Sequence, residues 1–229
     1  MKKPPITIKD IAKALNISPS TVSRALKNHP DISQDTKDAV NKFAKENHYK
    51  PNSLALSLRM SINNTIGVIV PEINNYFFSS VLSGIEQVAN SENFNIIVSQ
   101  SDETPEKEVH NTQALIGARV SGILASLCKH TTNYEHFQEV LDSDIPLVFF
   151  DRICIGLNTD RVVVDDYVGA FAAVEYMIQT GCKRIAFFSS PFHLEISKNR
   201  KNGYLDALRK YGIPVDDSLI KVCDTREEA

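Results

Sequence analysis

Apolar residues near the start of the chain recur at helical spacing. The stretch from Ile8 to Leu15 places its apolar side chains on one face, which predicts a first helix over these residues. Thr7 and Asp10 stand three positions apart at its start, the spacing of a capping box in which each side chain bonds to the other residue's backbone N–H. The pattern therefore predicts where the helix begins as well as which face it buries.

A second and a third helix follow at short intervals. Ser18 is a favoured N-cap, and Pro19 suits the first helical position because its missing N–H has no partner there, so a helix is predicted from Pro19 to Lys27. A third helix is predicted from Ser33. Its buried stripe is predicted to be Val40, Phe43 and Ala44. Two short helices joined by a tight turn form a helix-turn-helix.

From Thr65 the pattern changes to short apolar runs that alternate with amphipathic helices. The predicted strands are 66–70, 95–98, 122–125 and 146–150, and the predicted helices between them are 78–91, 105–116 and 133–141. This alternation predicts a doubly wound parallel sheet, whose ligands gather at the carboxyl ends of the strands.

A second set of elements follows the apolar run Arg161–Val164. It comprises a helix over 166–180, a strand over 183–188, a helix over 197–211, a strand over 219–222 and the start of a further helix at Asp224 or Thr225. The whole chain is thus predicted to be an all-α helix-turn-helix head on an α/β body. The predicted segments are the head over 1–50, a hinge helix or linker over 51–61, a first lobe over 62–163 and an incomplete second lobe over 164–229.

The charge is divided unevenly along the chain. The net charge is −3, yet residues 1–60 hold 11 basic and 5 acidic side chains (+6), which leaves −9 for residues 61–229. A basic head on an acidic body suggests binding to a polyanion, and the alternative is a solvated, lysine-rich helical surface. No apolar run approaches a membrane span, no secretory signal follows the start, and the cysteine spacing matches no metal pattern. We therefore expect a cytoplasmic protein without membrane contact or cofactor.

The exposed face of the second helix carries small hydroxyl groups and basic side chains. These residues are Ser20, Thr21, Ser23, Arg24 and Lys27. Small hydroxyls allow close approach to a duplex and bond to phosphates and base edges, and an arginine can bond a guanine with two hydrogen bonds. The sequence thus favours DNA binding over an ordinary helical hairpin.

A leucine-rich segment follows Pro51. Asn52 or Ser53 can cap a short helix in which Leu54, Ala55 and Leu58 share a face. So short a helix is not stable alone in water, so it requires a second copy of itself, DNA, or both. An ordinary interdomain linker is the alternative.

Three motifs together resemble the head of LacI/GalR-type transcriptional regulators. They are residues 7–12 (TIKDIA), 18–26 (SPSTVSRAL) and 49–52 (YKPN). The resemblance implies that the second helix enters the major groove of a palindromic operator, with Pro19, Ser20 and Arg24 reading bases. It assigns phosphate contacts to Thr7, Ser18, Thr21, Ser23 and Asn52. It also implies that paired hinge helices of a homodimer insert Leu58 into the minor groove, with Ala55 on the same face and Arg59 along the groove floor.

The body resembles the periplasmic-binding-protein-like core with which the same regulators bind small effectors. The motifs are Asp165-x-x-x-Gly169-Ala170 and Arg200-x-x-Gly203-Tyr204, and the chain ends before the family's usual length. By position, the resemblance implies an effector cleft lined by Asn75, Phe77, Phe78, Asp151, Arg152, Asp165 and Arg200. Carboxylates, an arginine and an aromatic face suit a carbohydrate-like ligand.

Each of these side chains has an alternative role. One of Phe77 and Phe78 could belong to the core or a dimer interface, and Asp151 or Asp165 could cap backbone amides. Arg200 could form a surface ion pair with Glu195 or Asp206.

The leading hypothesis is a dimeric, sequence-specific DNA-binding regulator that acts as a repressor and whose operator affinity is tuned by a sugar-like effector. The alternatives are a solute-binding module, or a shortened regulator that binds DNA without sensing an effector. The sequence contains no nucleotide-binding glycine loop, nucleophile elbow or metal-spaced cluster, so we expect no enzymatic activity.

Overall fold

The structure, a computed structural model, describes residues 6–47, 49 and 64–223. The chain divides into two compact units, Met1–Ile62 and Asn63–Ala229. The finer division into four segments stays a prediction. The predicted hinge segment 51–61 and the predicted helix from residue 224 lie outside the described residues.

The N-terminal unit contains α1 (Ile8–Leu15), α2 (Pro19–Leu26) and α3 (Gln34–Glu46). The predicted capping box at α1 is confirmed, since the Thr7 N–H donates to Asp10 Oδ2 over 2.9 Å and the Asp10 N–H donates to Thr7 Oγ1 over 3.4 Å. The Thr21 N–H donates to Ser18 Oγ over 3.0 Å, which caps α2 as predicted. The side chain of Ser33 caps α3 in the same way.

These helices pack around one apolar core. Its buried members are Ile11, Ala12, Val22, Ala25, Val40 and Ala44. The predicted stripe of α3 is confirmed for Val40 and Ala44, while Phe43 packs against this core only partly buried. The helical spacing of apolar residues thus accounts for the fold of this unit.

The C-terminal unit begins with a parallel sheet flanked by helices. Its elements are β1 (Thr65–Val70), α4 (Tyr76–Ser91), β2 (Asn95–Gln100), α5 (Pro105–Gly117), β3 (Gly122–Ala125), α6 (Glu135–Asp142), β4 (Leu147–Phe150) and β5 (Asp160–Val162). The strands are all parallel and lie in the order β2-β1-β3-β4-β5. The apolar run after residue 160 forms the edge strand β5 of this sheet.

Both faces of the sheet are covered, as a doubly wound sheet requires. Ile69 packs with Leu115 of α5 and Phe137 of α6, whereas Val68 and its alternate neighbours pack with Phe78 of α4 on the other face. Successive residues of a strand point to opposite faces, so the uninterrupted apolar run of β1 supplies both cores.

The remaining elements build a second, smaller layer. They are α7 (Asp166–Gln179), β6 (Phe187–Ser189), α8 (Glu195–Lys210), a 3₁₀ turn (Asp217–Leu219) and β7 (Ile220–Val222), with β6 parallel to β7. The predicted strand over 183–188 is wrong at its start. Among the described residues, β6 has only the short β7 as its partner, and a strand extends only as far as its ladder.

At Gly203, the backbones of α7 and α8 approach each other directly, with no side chain between them. A Cβ atom on Gly203 would lie 2.3 Å from the carbonyl oxygen of Tyr167. The neighbouring Tyr204 is buried, and its hydroxyl donates to the Ile185 carbonyl oxygen over 2.9 Å. Among the described helices, none has the length and apolar character to cross a bilayer.

Candidate functional site

The outward face of α2 is polar and basic. Ser18, Pro19, Ser20, Arg24 and Lys27 are exposed, and Thr21 and Ser23 are half-buried. The opposite face buries Val22 and Ala25 in the core. The core thus fixes which side of α2 faces outward, and that side carries the residues predicted to contact DNA.

Hydroxyl groups cluster at the N-terminus of α2. Ser18 Oγ lies 2.7 Å from Ser20 Oγ and 2.8 Å from Thr21 Oγ1. The N-terminus of a helix carries partial positive charge and favours anions such as phosphate. The cluster therefore combines hydrogen-bonding groups with a favourable field for a phosphate group.

Thr7 is exposed at the start of α1 and bonds to Asp10. Its hydroxyl donates to Asp10 Oδ2 over 2.7 Å, and this hydrogen bond, followed by that of the Thr7 N–H, lowers the pKa of the Asp10 carboxyl below its ordinary value. Four other residues predicted to contact DNA lie outside the described residues: Asn52, Ala55, Leu58 and Arg59.

A cavity of about 430 Å³ lies in the C-terminal unit at the carboxyl ends of β1, β4 and β6. It is lined by Asn75, Phe77, Phe78, Asp151, Arg152, Val164, Phe188, Ser189, Ser190, Leu194, Ile196, Ser197, Arg200 and Cys223. This volume lies within the range of about 300–1,000 Å³ typical of small-molecule sites. Six of the seven residues predicted for an effector cleft line it, and Asp165 does not.

The residues after β1 form one wall of the cavity. Asn75 caps α4, with Oδ1 accepting from the Phe77 N–H over 2.9 Å. Phe77 is 47% exposed, whereas Phe78 is 3% exposed and belongs to the core beneath the sheet. The two rings meet edge to face with centroids 5.2 Å apart. The core alternative thus holds for Phe78, and Phe77 presents the accessible aromatic surface.

The residues after β4 bring charge to the cavity. Asp151 has a left-handed backbone (φ 58°), and Ser126 Oγ lies 3.5 Å from its Oδ2. Burial raises the pKa of the Asp151 carboxyl above its ordinary value of 3.8, although the charges of Arg152 and Arg200 act in the opposite direction. The Arg152 guanidinium lies 5.9 Å from the centroid of the Phe78 ring.

Helix α8 contributes an arginine to the cavity. Arg200 Nε donates to Asp166 Oδ1 over 2.7 Å. The predicted alternative partners are engaged elsewhere, since Glu195 pairs with Lys198 and Asp206 pairs with Arg209. Arg200 thus bonds to the first residue of α7 and borders the cavity.

Asp165 caps a helix, which is the role predicted as the alternative to an effector contact. Its Oδ1 accepts from the Val168 N–H over 2.9 Å at the start of α7. Its neighbour Val164 lines the cavity instead. An effector contact by Asp165 stays a prediction.

Comparison with known proteins matches both units of the chain. Residues 7–52 match the bacterial regulatory proteins of the lacI family, and residues 63–229 match the periplasmic binding proteins and sugar binding domain of the LacI family. Catabolite control protein A of Priestia megaterium is 34% identical over 216 residues, covering 94% of this chain and 64% of its own. The chain belongs to the LacI family.

Two further comparisons place this LacI-family chain among longer relatives. The transcriptional regulator MalR of Streptococcus pneumoniae is 34% identical over 229 residues, covering 96% of this chain and 68% of its own. The lac repressor dimer bound to operator and an anti-inducer has the same fold, with a TM-score of 0.79 and 21% identity over 96% of this chain and 66% of that one. The chain thus spans about two thirds of the length of these proteins.

Several cavity residues of this LacI-family chain escaped the sequence analysis. Ser189 is the last residue of β6, and Ser190 follows it. Ser197 lies one helical turn before Arg200 on α8, and Phe188 is exposed. The rule that ligands gather at strand ends indicates Ser189 and Ser190, since they directly follow the strand predicted over 183–188. Among the described residues, no group of His, Cys, Asp and Glu is arranged to hold a metal ion.

Proposed function

We propose that this LacI-family chain acts as a dimeric transcriptional repressor that binds a palindromic operator in double-stranded DNA. Its operator affinity is modulated by a small, sugar-like effector that binds in the cavity. The observation that carries the proposal is the pairing, in one chain, of an outward-facing basic α2 with a ligand-sized cavity at strand ends.

The DNA-binding part of the proposal rests on α2. Its exposed Arg24 can bond a guanine in the major groove, and Ser20 is small enough to let the helix approach the bases. The hydroxyls at Ser18 and Thr21 are proposed to bond to phosphates, which sets the register of the helix on the duplex. Lys27 adds charge on the same exposed side.

The effector part rests on the cavity. It combines an exposed aromatic ring (Phe77), charged groups (Asp151, Arg152 and Arg200) and serine hydroxyls, the mixture that suits a ring with several hydroxyl groups. The match of residues 63–229 to a family described as sugar binding supports the same ligand class.

Regulation is proposed to couple the two sites. Effector binding would shift the population of two arrangements of the C-terminal unit, and the dimer would transmit this shift to the paired segments over 51–61. The dimer is proposed from the relative described as a lac repressor dimer bound to operator. We further propose binding without catalysis, in the bacterial cytoplasm where the DNA lies; the named relatives are regulators.

The experiment begins with selection of binding sequences from random duplexes, followed by fluorescence anisotropy on the selected operator. Affinity should fall steeply as salt rises, because phosphate contacts release counterions. Arg24→Ala should weaken specific binding by about 1–3 kcal/mol while leaving non-specific binding less affected. Lys45→Ala, which removes a positive charge from the last turn of α3, is the matched control.

Two results would contradict the proposal. Selection that enriches no sequence would exclude operator recognition by this chain. Equal losses for Arg24→Ala and Lys45→Ala would show that α2 contributes charge alone, without reading bases. The effector part is tested separately by a thermal-shift screen against sugars, sugar phosphates and purines, in which stabilisation by none of them would exclude it.

A further inference from the structure

Both arginines at the cavity are paired with carboxylates that do not line it. Arg152 Nη1 lies 2.7 Å from Glu103 Oε1, and Arg200 Nε lies 2.7 Å from Asp166 Oδ1. The carboxylates are well shielded, with side-chain exposures of 14% for Glu103 and 9% for Asp166. Each arginine therefore borders the cavity while its charge is compensated by a carboxylate outside the lining.

Glu103 is held in place by several features of its loop. Its Oε2 accepts from the Lys129 N–H over 2.8 Å, while its Oε1 faces Arg152. Asp102 and Glu103 both have left-handed backbones, with φ of 51° and 54°. Such conformations persist where the surrounding structure imposes them. The loop between β2 and α5 thus fixes a carboxylate against Arg152.

Among the described residues at the cavity and directly behind it, the carboxylates outnumber the arginines. Arg152 and Arg200 are balanced by Glu103 and Asp166, and Asp151 adds a further carboxyl to the lining, with its Oδ2 4.0 Å from Arg152 Nε. Burial raises the pKa of the Asp151 carboxyl above its ordinary value, and the charge of Asp166 acts in the same direction. Within the described lining, a phosphate or carboxylate ligand would face this acid and two arginines that are already paired.

The serines at the cavity offer neutral hydrogen bonds. Ser189 is 8% exposed and Ser197 is 3% exposed, and both line the cavity. A hydroxyl both donates and accepts, so it matches the hydroxyl of a neutral sugar equally well in either direction.

We propose that the cavity selects an uncharged polyol over sugar phosphates and sugar acids, and that Glu103 and Asp166 set this selection by neutralising Arg152 and Arg200. This inference rests on the proposed function of the cavity as an effector site. In this proposal, two residues outside the lining determine whether the cavity accepts a neutral or a charged ligand.

Isothermal titration calorimetry on the full chain tests the inference with matched ligands. The probes are glucose, galactose, fructose and ribose, their terminal phosphates, and glucuronate and galacturonate. At least one neutral sugar should bind at least about tenfold more tightly than its phosphate, because an unpaired anion beside a carboxylate is repelled.

Glu103→Gln exposes the charge of Arg152 while retaining an acceptor for the Lys129 N–H. It should shift the ratio of the two affinities toward the phosphate by about tenfold. Glu106→Gln is the control, since it removes the same charge from an exposed residue of the same region outside the cavity lining. Asp166→Asn, which releases Arg200 in the same way, replaces Glu103→Gln if thermal melting shows that the latter does not fold.

The outcomes separate this inference from the proposed function. Tighter binding of a phosphate or sugar acid by the unaltered chain would overturn the inference and leave the effector site in place. A ratio that is unchanged in the folded Glu103→Gln and Asp166→Asn chains would overturn the role of these carboxylates. Binding of none of the probes would overturn both the inference and the sugar-effector proposal.

Discussion

Gly203 on α8 lies against Tyr167 on α7, so closely that a Cβ atom at position 203 would be 2.3 Å from the Tyr167 carbonyl oxygen. The next obstacle is the Phe171 backbone nitrogen at 2.9 Å. Both are backbone atoms, which cannot move aside as the end of a side chain can. The helices must therefore separate if any side chain replaces the glycine.

Gly203→Ala should lower the free energy of unfolding by about 1–3 kcal/mol, the usual cost of overpacking. Denaturant unfolding followed by circular dichroism measures it. Gly169→Ala on α7 is the control, because a Cβ atom there meets nothing within 4 Å, and it should be neutral or slightly stabilising. An equal loss for both would contradict the close helix contact.

Ser18 has two roles that substitutions can separate. Ser18→Ala removes the hydrogen bond from the Thr21 N–H and should cost about 1 kcal/mol of stability. Ser18→Asp retains an acceptor for the cap, so thermal stability should stay near that of the unaltered chain, but its charge should repel phosphate and reduce DNA affinity. A Ser18→Asp chain with full operator affinity would exclude a phosphate at this position.

Asp151 should make stability depend on pH in a defined direction. Because its pKa is raised in the folded state, its contribution to stability is present below its ordinary value of 3.8 and is lost as pH rises through the raised pKa. Asp151→Asn lacks this loss and suits the same left-handed backbone. Its stability relative to the unaltered chain should therefore increase between about pH 4 and about pH 7 in denaturant unfolding.

If the difference in stability between the Asp151→Asn chain and the unaltered chain does not change across that pH range, burial is not the dominant influence on the pKa of Asp151. Ser126→Ala serves as the control, since it removes the nearby hydroxyl while leaving the carboxyl itself in place. The stability of that chain should retain the pH dependence.

Glu108 is fully buried on α5 and joins it to two other segments. Its carboxylate accepts from the Cys128 N–H and the Thr131 hydroxyl, each over 2.6 Å, and lies 3.2 Å from His136 Nε2 on α6. Glu108→Ala leaves these groups buried without their partner and should cost about 3 kcal/mol or more in denaturant unfolding. Glu106→Ala, at an exposed position of the same helix, should have little effect.

Local signals predicted the helices of the N-terminal unit well because the groups that cap a helix lie within one turn of each other. In the C-terminal unit, the helices predicted from residues 78, 133 and 197 begin at Tyr76, Glu135 and Glu195. The capping residues Thr7, Ser18 and Ser33 begin α1, α2 and α3, as their chemistry indicates. The strand predicted over 183–188 is the contrasting case, since its length depends on pairing with β7, about thirty residues further along the chain.

The candidate cavity was predicted only in part for a similar reason. Strand ends and the family resemblance indicated Asn75, Asp151 and Arg152, which line it. They also indicated Asp165, which instead caps α7. A short polar residue after a strand suits a ligand contact and a helix cap equally, and only the orientation of the neighbouring helix distinguishes them.

The sequence by itself determined the starts of α1, α2 and α3, the alternation of strands and helices, and the polar face of α2, because each follows from spacing and capping over a few residues. Only the tertiary structure decided which distant groups meet. It paired Arg152 with Glu103 and Arg200 with Asp166, in place of the partners near Arg200 in sequence. Charge pairing depends on distances in space, and those are set by how the elements pack rather than by their order along the chain.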